Sequence, residues 1–366
     1  MVKYKAFKIY GPGDHIKDEL EARNWTQKDL ASIIGFSEKH INQIINNKKI
    51  ITFEIAKLLS QAFGGSTQYW TNLDTNYRLK IEIEKEKKVE IKAKIFERMP
   101  IRDMIKKGWI ADFGNDVEYL KKEVIKFWKK DDTDFSFMDT GILPNFRKSD
   151  KFSKYNENYA ITWFEMAKNK CLNIDVCLYN TNKLLEIAEN YNQYTILENG
   201  VISLIEDLYK AGVVFISLSH LPQTYIDAAS FMIKNNPVIV YTIRYDRIDN
   251  FWFNIAHEIG HIVKHIKNNN DCYIDDNLNE ASENIKEKEA DEFANKIILK
   301  NKIVEAFRPY NQYISEKRII EQSDILKISP AIIVGVLQHE KLLPKKNLNH
   351  FKVSISDKIP EMYVKG

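Results

Sequence analysis

The stretch Phe251–Ile266 constrains the fold more than any other part of the chain. It contains His257-Glu-Ile-Gly-His261, two imidazoles four residues apart with a carboxylate between them. On a helix, side chains at that spacing lie one above the other, so both histidines can reach a single Zn²⁺. Glu258 lies beside them, angled away from the metal and placed to take a proton from water. At about 100° per residue, Asn254, His257, Glu258, His261 and His265 share one arc, while Trp252, Ile255, Ala256, Ile259, Ile262, Val263 and Ile266 fill the opposite one. The pattern predicts a helix whose apolar back lies in a core and whose histidines face a cleft. An ordinary amphipathic helix with three surface histidines is the competing reading. It is disfavoured because only eight histidines occur in the whole chain, and three share this arc.

A catalytic zinc takes three protein ligands and keeps a fourth position open. The segment Ser282–Leu299 is a second helix candidate, with an apolar arc of Ala290, Phe293, Ala294, Ile297 and Ile298. Glu289 and Glu292 point away from that arc and read as solvated. Glu287 and Asp291 fall inside it, one turn apart, and carboxylates are rarely buried without a partner. A metal and a metal-bound imidazole are such partners. Glu287 is therefore the expected third ligand and Asp291 the expected acceptor for a ligand imidazole N–H. Glu283, in the first turn, is the alternative ligand.

Glu287-x-x-Ala-Asp-x-Phe-Ala following His-Glu-x-x-His resembles the ImmA/IrrE family of zinc metallopeptidases, relatives of the zincins. The resemblance implies that His257, His261 and Glu287 bind zinc, that Glu258 is the base, and that the substrate is a protein. Upstream, the β-branched runs Val213–Ser219 and Pro237–Ile243, with Tyr225–Ile233 between them, predict a small antiparallel sheet, the expected upper half of a zincin-like fold. An edge strand there could pair with an extended peptide. Downstream, Ser329–Leu342 resembles the C-terminal helix of long family members. His339 on it is a candidate for stabilising an oxyanion, although a histidine near a helix end also complements the helix dipole.

At the other end of the chain, residues 12–79 read as five short helices. Pro12-Gly-Asp opens the first, Thr26, Ser37, Thr52 and Ser66 can cap the others, and Gly35-Phe36 makes a tight turn between the second and third. Two short helices joined by a glycine-containing turn, the second polar on one side, form the helix-turn-helix pattern. Thr26-Gln-x-x-Leu-Ala-x-x-x-Gly-x-Ser37-x-x-x-Ile41 resembles the Xre/HigA class of repressor domains, and Tyr69-Trp-x-Asn-Leu73 points to its HigA side. The resemblance implies operator DNA as a partner. Asn42, Gln43 and Asn46 suit adenine edges, and Lys39 suits guanine or phosphate. Lys48 and Lys49 in the following loop, with Gln27 and Ser37 at helix N-termini, are the remaining candidate contacts. A polar face that binds only protein is the competing reading.

From Leu79 to Arg98 the chain is dominated by Glu and Lys with opposite charges four apart, such as Glu90 and Lys94. It reads as a solvated helix extending the fifth, with Ile91 and Ile95 as a possible homodimer seam. Residues 99–210 show helical periodicity and no recognisable chemistry. The expected class is mostly α with an α+β C-terminal part: residues 1–79 bind DNA, 80–200 form a charged helix and helical spacer, and 201–366 form the peptidase domain. With 366 residues and a net charge of +3, no global field demands nucleic acid, so such binding must be local. Three cysteines without regular spacing, no apolar leader and no membrane-length span predict a cytoplasmic protein without a membrane partner. A regulator that cleaves a partner or repressor protein in a stress, phage-defence or toxin–antitoxin setting is the functional expectation. The alternatives are an antitoxin whose peptidase fold only binds a partner, and a toxin acting by proteolysis.

Overall fold

Five helices open the chain: α1 (Pro12–Arg23), α2 (Gln27–Ile34), α3 (Glu38–Ile45), α4 (Phe53–Phe63) and α5 (Thr67–Arg98). The computed structural model describes residues 10–130, 155–266, 272–276 (as backbone), 285–310 and 313–365. By internal contacts the chain divides into two compact units, residues 1–94 and 95–366.

In the first unit each helix starts where its cap dictates. Pro12 occupies the first turn of α1, where its missing N–H costs nothing. Thr26 Oγ1 accepts from Asp29 N at 3.2 Å while Asp29 Oδ2 accepts from Thr26 N at 2.7 Å, a closed capping box. Gly35, at φ +76°, ends α2 in the left-handed conformation, and Ser37 then caps α3. Ile16, Leu30, Ile41, Ile44, Ile45, Ile55, Leu59 and Trp70 form the core between the five helices. Residue 13 has to be glycine for a packing reason, since a Cβ there would stand 2.1 Å from the Ile45 carbonyl oxygen. Its N–H meanwhile donates to Asn47 Oδ1 at 2.8 Å, pinning α1 against the end of α3. Helix α5 continues through the charged stretch as expected, with Lys94 Nζ 2.9 Å from Glu90.

The second unit begins with α6 (Ile101–Lys106), α7 (Val117–Trp128), α8 (Glu157–Cys171), α9 (Thr181–Glu189), α10 (Tyr191–Ile196) and α11 (Gly200–Lys210). The sheet follows, with β1 (Val214–Ser217), β2 (Ile226–Ile233), β3 (Asn236–Tyr241) and, after α12 (Ile248–Lys264), β4 (Cys272–Asp276). The chain continues with α13 (Ile285–Ile297), α14 (Lys300–Phe307), α15 (Glu316–Leu326) and α16 (Pro330–His339).

The strand order is β1-β3-β2-β4. β2 pairs antiparallel with both β3 and β4, but β1 pairs parallel with β3, so the sheet is mixed rather than wholly antiparallel. The reason is topological. Lys234 and Asn235, both at positive φ, close a two-residue hairpin that folds β3 back between β2 and β1. Every residue of β1 and most of β3 are buried, which is why these strands read as unbroken β-branched runs. Phe215, Ile239, Tyr241, Phe251, Trp252, Ile255 and Ile259 tie sheet and α12 into one core. Ile95, expected on a possible dimer seam, is fully buried in its own chain and is not available for one. Among the described residues no helix is long and apolar enough to cross a membrane.

Candidate metal centre and nucleic-acid interface

Helix α12 carries the histidine pair because its apolar residues recur at helical spacing and are consumed by the core. Phe251, Trp252, Ile255, Ala256, Ile259 and Ile262 are all buried, and the Trp252 carbonyl accepts from the buried Tyr191 hydroxyl at 2.7 Å. Helix α13 crosses α12 at the site itself. A Cβ on Gly260 would lie 3.2 Å from Ala290 Cα, from the Ala290 carbonyl oxygen and from Phe293 Cβ. Glycine between the two histidines and alanine between Glu287 and Asp291 thus let the helices approach closely enough to bring both pairs of side chains together.

His257 Nε2 and His261 Nε2 stand 2.9 Å apart. Glu287 Oε2 is 3.3 Å from the first and Oε1 is 3.4 Å from the second. Four-coordinate zinc with bonds of about 2.0–2.1 Å needs ligand atoms roughly 3.3 Å apart, so this donor set fits such an ion. Protonation states agree with that use. Burial pushes the His261 imidazole down to about 4, more than the neighbouring Glu287 carboxylate pulls it up. Burial also raises Glu287, but hydrogen bonds from His257 and His261 outweigh it and hold the carboxyl below its ordinary range. Neutral imidazoles and an ionised carboxylate are what a metal requires.

The other ring nitrogens are held from outside. His257 Nδ1 is 3.0 Å from Asp291 Oδ1. Asp291, expected to be buried, has a side chain that is 53% exposed and bonds His257 from the solvent side. His261 Nδ1 is 3.2 Å from His265 Nδ1, and His265 Nε2 is 2.7 Å from Glu289 Oε2. Glu289 is therefore not simply solvated. His265 and Glu289 are the residues that sequence reasoning left without a role, although His265 already shared the His257 arc. Glu258 is completely buried on α12 between the two histidines. Glu283 lies outside the described residues. His339 is not brought to the cluster: its side chain is 78% exposed at the end of α16, with Nδ1 3.0 Å from Glu340. The helix-end reading accounts for it.

In the first unit the candidate DNA contacts share one surface. Ser37, Lys39, Asn42, Asn46, Lys48 and Lys49 are exposed, and Gln27 and Gln43 are half-buried. Asn42 Nδ2 donates to Gln27 Oε1 at 3.1 Å, and Asn46 Nδ2 donates to Asn42 Oδ1 at 3.1 Å. These amides form a connected polar strip along the outer face of α3. Ser37 Oγ is spent as the cap of α3, accepting from His40 N at 3.3 Å. Lys49 Nζ lies 3.2 Å from His40 Nδ1.

A five-helix unit with a helix-turn-helix, and a second unit in which two crossing helices gather two histidines and a glutamate beside a small sheet, define a two-part class of protein. Comparison with known families agrees. Residues 16–70 match the model described as helix-turn-helix, and residues 210–329 match the peptidase M78 model, described as IrrE N-terminal-like domain. Virulence-associated protein I of Dichelobacter nodosus is 31% identical over 81 residues, covering 22% of this chain and 75% of that protein. The chain belongs to the proteins that fuse an Xre/HigA-like helix-turn-helix domain to an ImmA/IrrE family peptidase domain.

Proposed function

We propose that the protein is a DNA-binding regulator with zinc-dependent endopeptidase activity, which cuts a partner or repressor protein in a stress, phage-defence or toxin–antitoxin setting. The observation that carries this reading is the convergence of two imidazoles and one carboxylate around a single point, beside a buried glutamate. His257, His261 and Glu287 would hold the ion. Zinc held there would supply Lewis acidity toward water and a peptide carbonyl. Glu258 then acts as base, taking a proton from the attacking water and returning it to the leaving amine. Asp291 keeps a proton on His257 Nδ1, so that Nε2 presents its lone pair inward. Glu289 does the same for His261 through His265.

Substrate would lie as an extended strand. The C-terminal segment covers β1, with Lys365 N donating to Ser217 O at 2.8 Å, and β4, the outermost strand on the other side, would offer the edge. Main-chain pairing to such an edge holds a peptide with little demand on its sequence. The polar strip on α3 would read operator bases while Lys48 and Lys49 contact phosphates.

Metal content tests the centre directly. The purified chain is expected to carry about one zinc. Elemental analysis should find that Glu287→Ala has lost most of it, whereas Glu289→Ala keeps the ion with weakened affinity. Zinc retained by Glu287→Ala and lost from Glu289→Ala would refute the assignment of the third ligand.

A further inference from the structure

Outside the histidine cluster, a second group of polar side chains gathers at one end of the sheet. β1 and β3 run parallel, with Ser217 opposite Tyr241 in register. The same distance beyond each of these stand His220 and Arg244. Crevices outside the carboxyl ends of parallel strands are where α/β sheets present ligand-binding loops.

Lys107, which follows α6, reaches this place from a third segment, and its ammonium donates to Ser219 Oγ at 2.6 Å. The Ser219 backbone is held in turn, its carbonyl accepting from Trp163 Nε1 at 3.2 Å. Arg244 Nη1 donates to the Tyr225 carbonyl at 3.0 Å and to the buried Asp227 carboxylate at 3.1 Å. Its guanidinium carbon stands 5.1 and 4.9 Å from the rings of Tyr225 and Tyr245. Ile243, just before Arg244, is left-handed at φ +52°, a conformation that β-branched residues rarely adopt.

The local electrostatics favour an anion. Burial opposes protonation of His220 most, and Lys107 and Arg244 both oppose it further. Lys107 is likewise held below its ordinary range by burial, with Lys106 adding to the effect and Asp103 opposing it. Three half-buried basic side chains therefore gather here from three segments, with Asp227 ion-paired to Arg244. We propose that Lys107, Ser219, His220 and Arg244 form a binding site for a phosphate-type oxyanion. A tetrahedral dianion takes donors from an ammonium, a hydroxyl, an imidazole and a guanidinium at once, whereas one arginine fork would satisfy a planar carboxylate. The exposed Tyr245 ring beside Arg244 offers a face for a base, so the anion is either free phosphate or the phosphoryl group of a nucleotide.

Isothermal titration of the full-length protein with inorganic phosphate, and separately with adenosine monophosphate, tests the site at constant ionic strength. Saturable binding is expected, and Lys107→Gln and His220→Gln should each weaken it about tenfold, as loss of one charge-assisted hydrogen bond does. Tighter binding of the nucleotide with the same dependence identifies a phosphorylated metabolite as the ligand; equal binding identifies free phosphate. Should Lys107→Gln fail to fold by near-ultraviolet circular dichroism, His220→Gln decides alone. The proposal is overturned by the absence of saturable binding of either anion, or by affinity that His220→Gln leaves unchanged.

Discussion

Each imidazole of the histidine pair is held by its Nδ1, and the two holders differ in kind. Asp291 is an exposed carboxylate on the facing helix, whereas His265 is a buried ring that passes the interaction on to Glu289. Both arrangements leave Nε2 pointing at Glu287, so orientation is set before any ion arrives. On α3, Asn42 is fixed in a similar way, its amide bonded on one side to Gln27 and on the other to Asn46. A pre-oriented amide is suited to bidentate contact with adenine. In gel-shift titrations with operator fragments, Asn42→Ala should lose about 1–3 kcal/mol of discrimination at one base pair. Lys48→Ala should instead weaken all sequences alike and lower the salt slope by about one. A wild-type protein without any operator preference would assign this face to protein binding. Helical periodicity is enough to bring the ligand candidates, the candidate base and Asp291 to one place, but it puts Asp291 in a buried position that the structure leaves exposed. The Glu289–His265 contact was not legible in the sequence, because it depends on how far α13 slides along α12, and one-dimensional spacing does not encode that.

Elements meet here through small residues. Gly260 and Ala290 set the approach of α12 to α13, and Gly13 sets that of α1 to α3. Two glycines of the first unit are required for different reasons. Gly13 leaves no room for a Cβ beside the Ile45 carbonyl, whereas Gly35 has open space around it but a left-handed backbone. Hydrogen exchange across α1–α3 should separate them. Gly13→Ala is expected to cost about 3 kcal/mol or more of protection through overpacking, and Gly35→Ala only about 1–2 kcal/mol through backbone strain. Equal effects would mean that the α1–α3 contact can open without penalty. The five helices of this unit were readable almost to the residue, because Thr26, Ser37 and Thr52 are strong caps. The sheet was read less well. Its unbroken apolar runs, Val213–Ile216 and Val238–Val240, are read from sequence as antiparallel strands, but the parallel pairing of β1 and β3 follows from a strand inserted between two others. β4 was missed altogether, being too short and polar a segment to announce itself in the sequence Cys272–Asp276.

At the scale of the whole molecule, the proposed function divides between two units, with reading of DNA in the first and hydrolysis of protein in the second. The residues between the two family matches, 71–209, form most of the helices α5–α11 and carry no such assignment. Lys107, just after α6, bonds Ser219 beyond the end of β1, so this stretch packs against the sheet. The most direct test of the central claim separates holding the metal from doing chemistry with it. Glu258→Gln in the full-length chain keeps all three ligand side chains and removes only the base. Incubated with helix-turn-helix repressor proteins from its own genome as candidate partners, the wild type should cut at least one of them, taken as the partner. Glu258→Gln, with unchanged zinc content and operator binding, should leave it intact. Cleavage by Glu258→Gln at the wild-type rate would contradict the account.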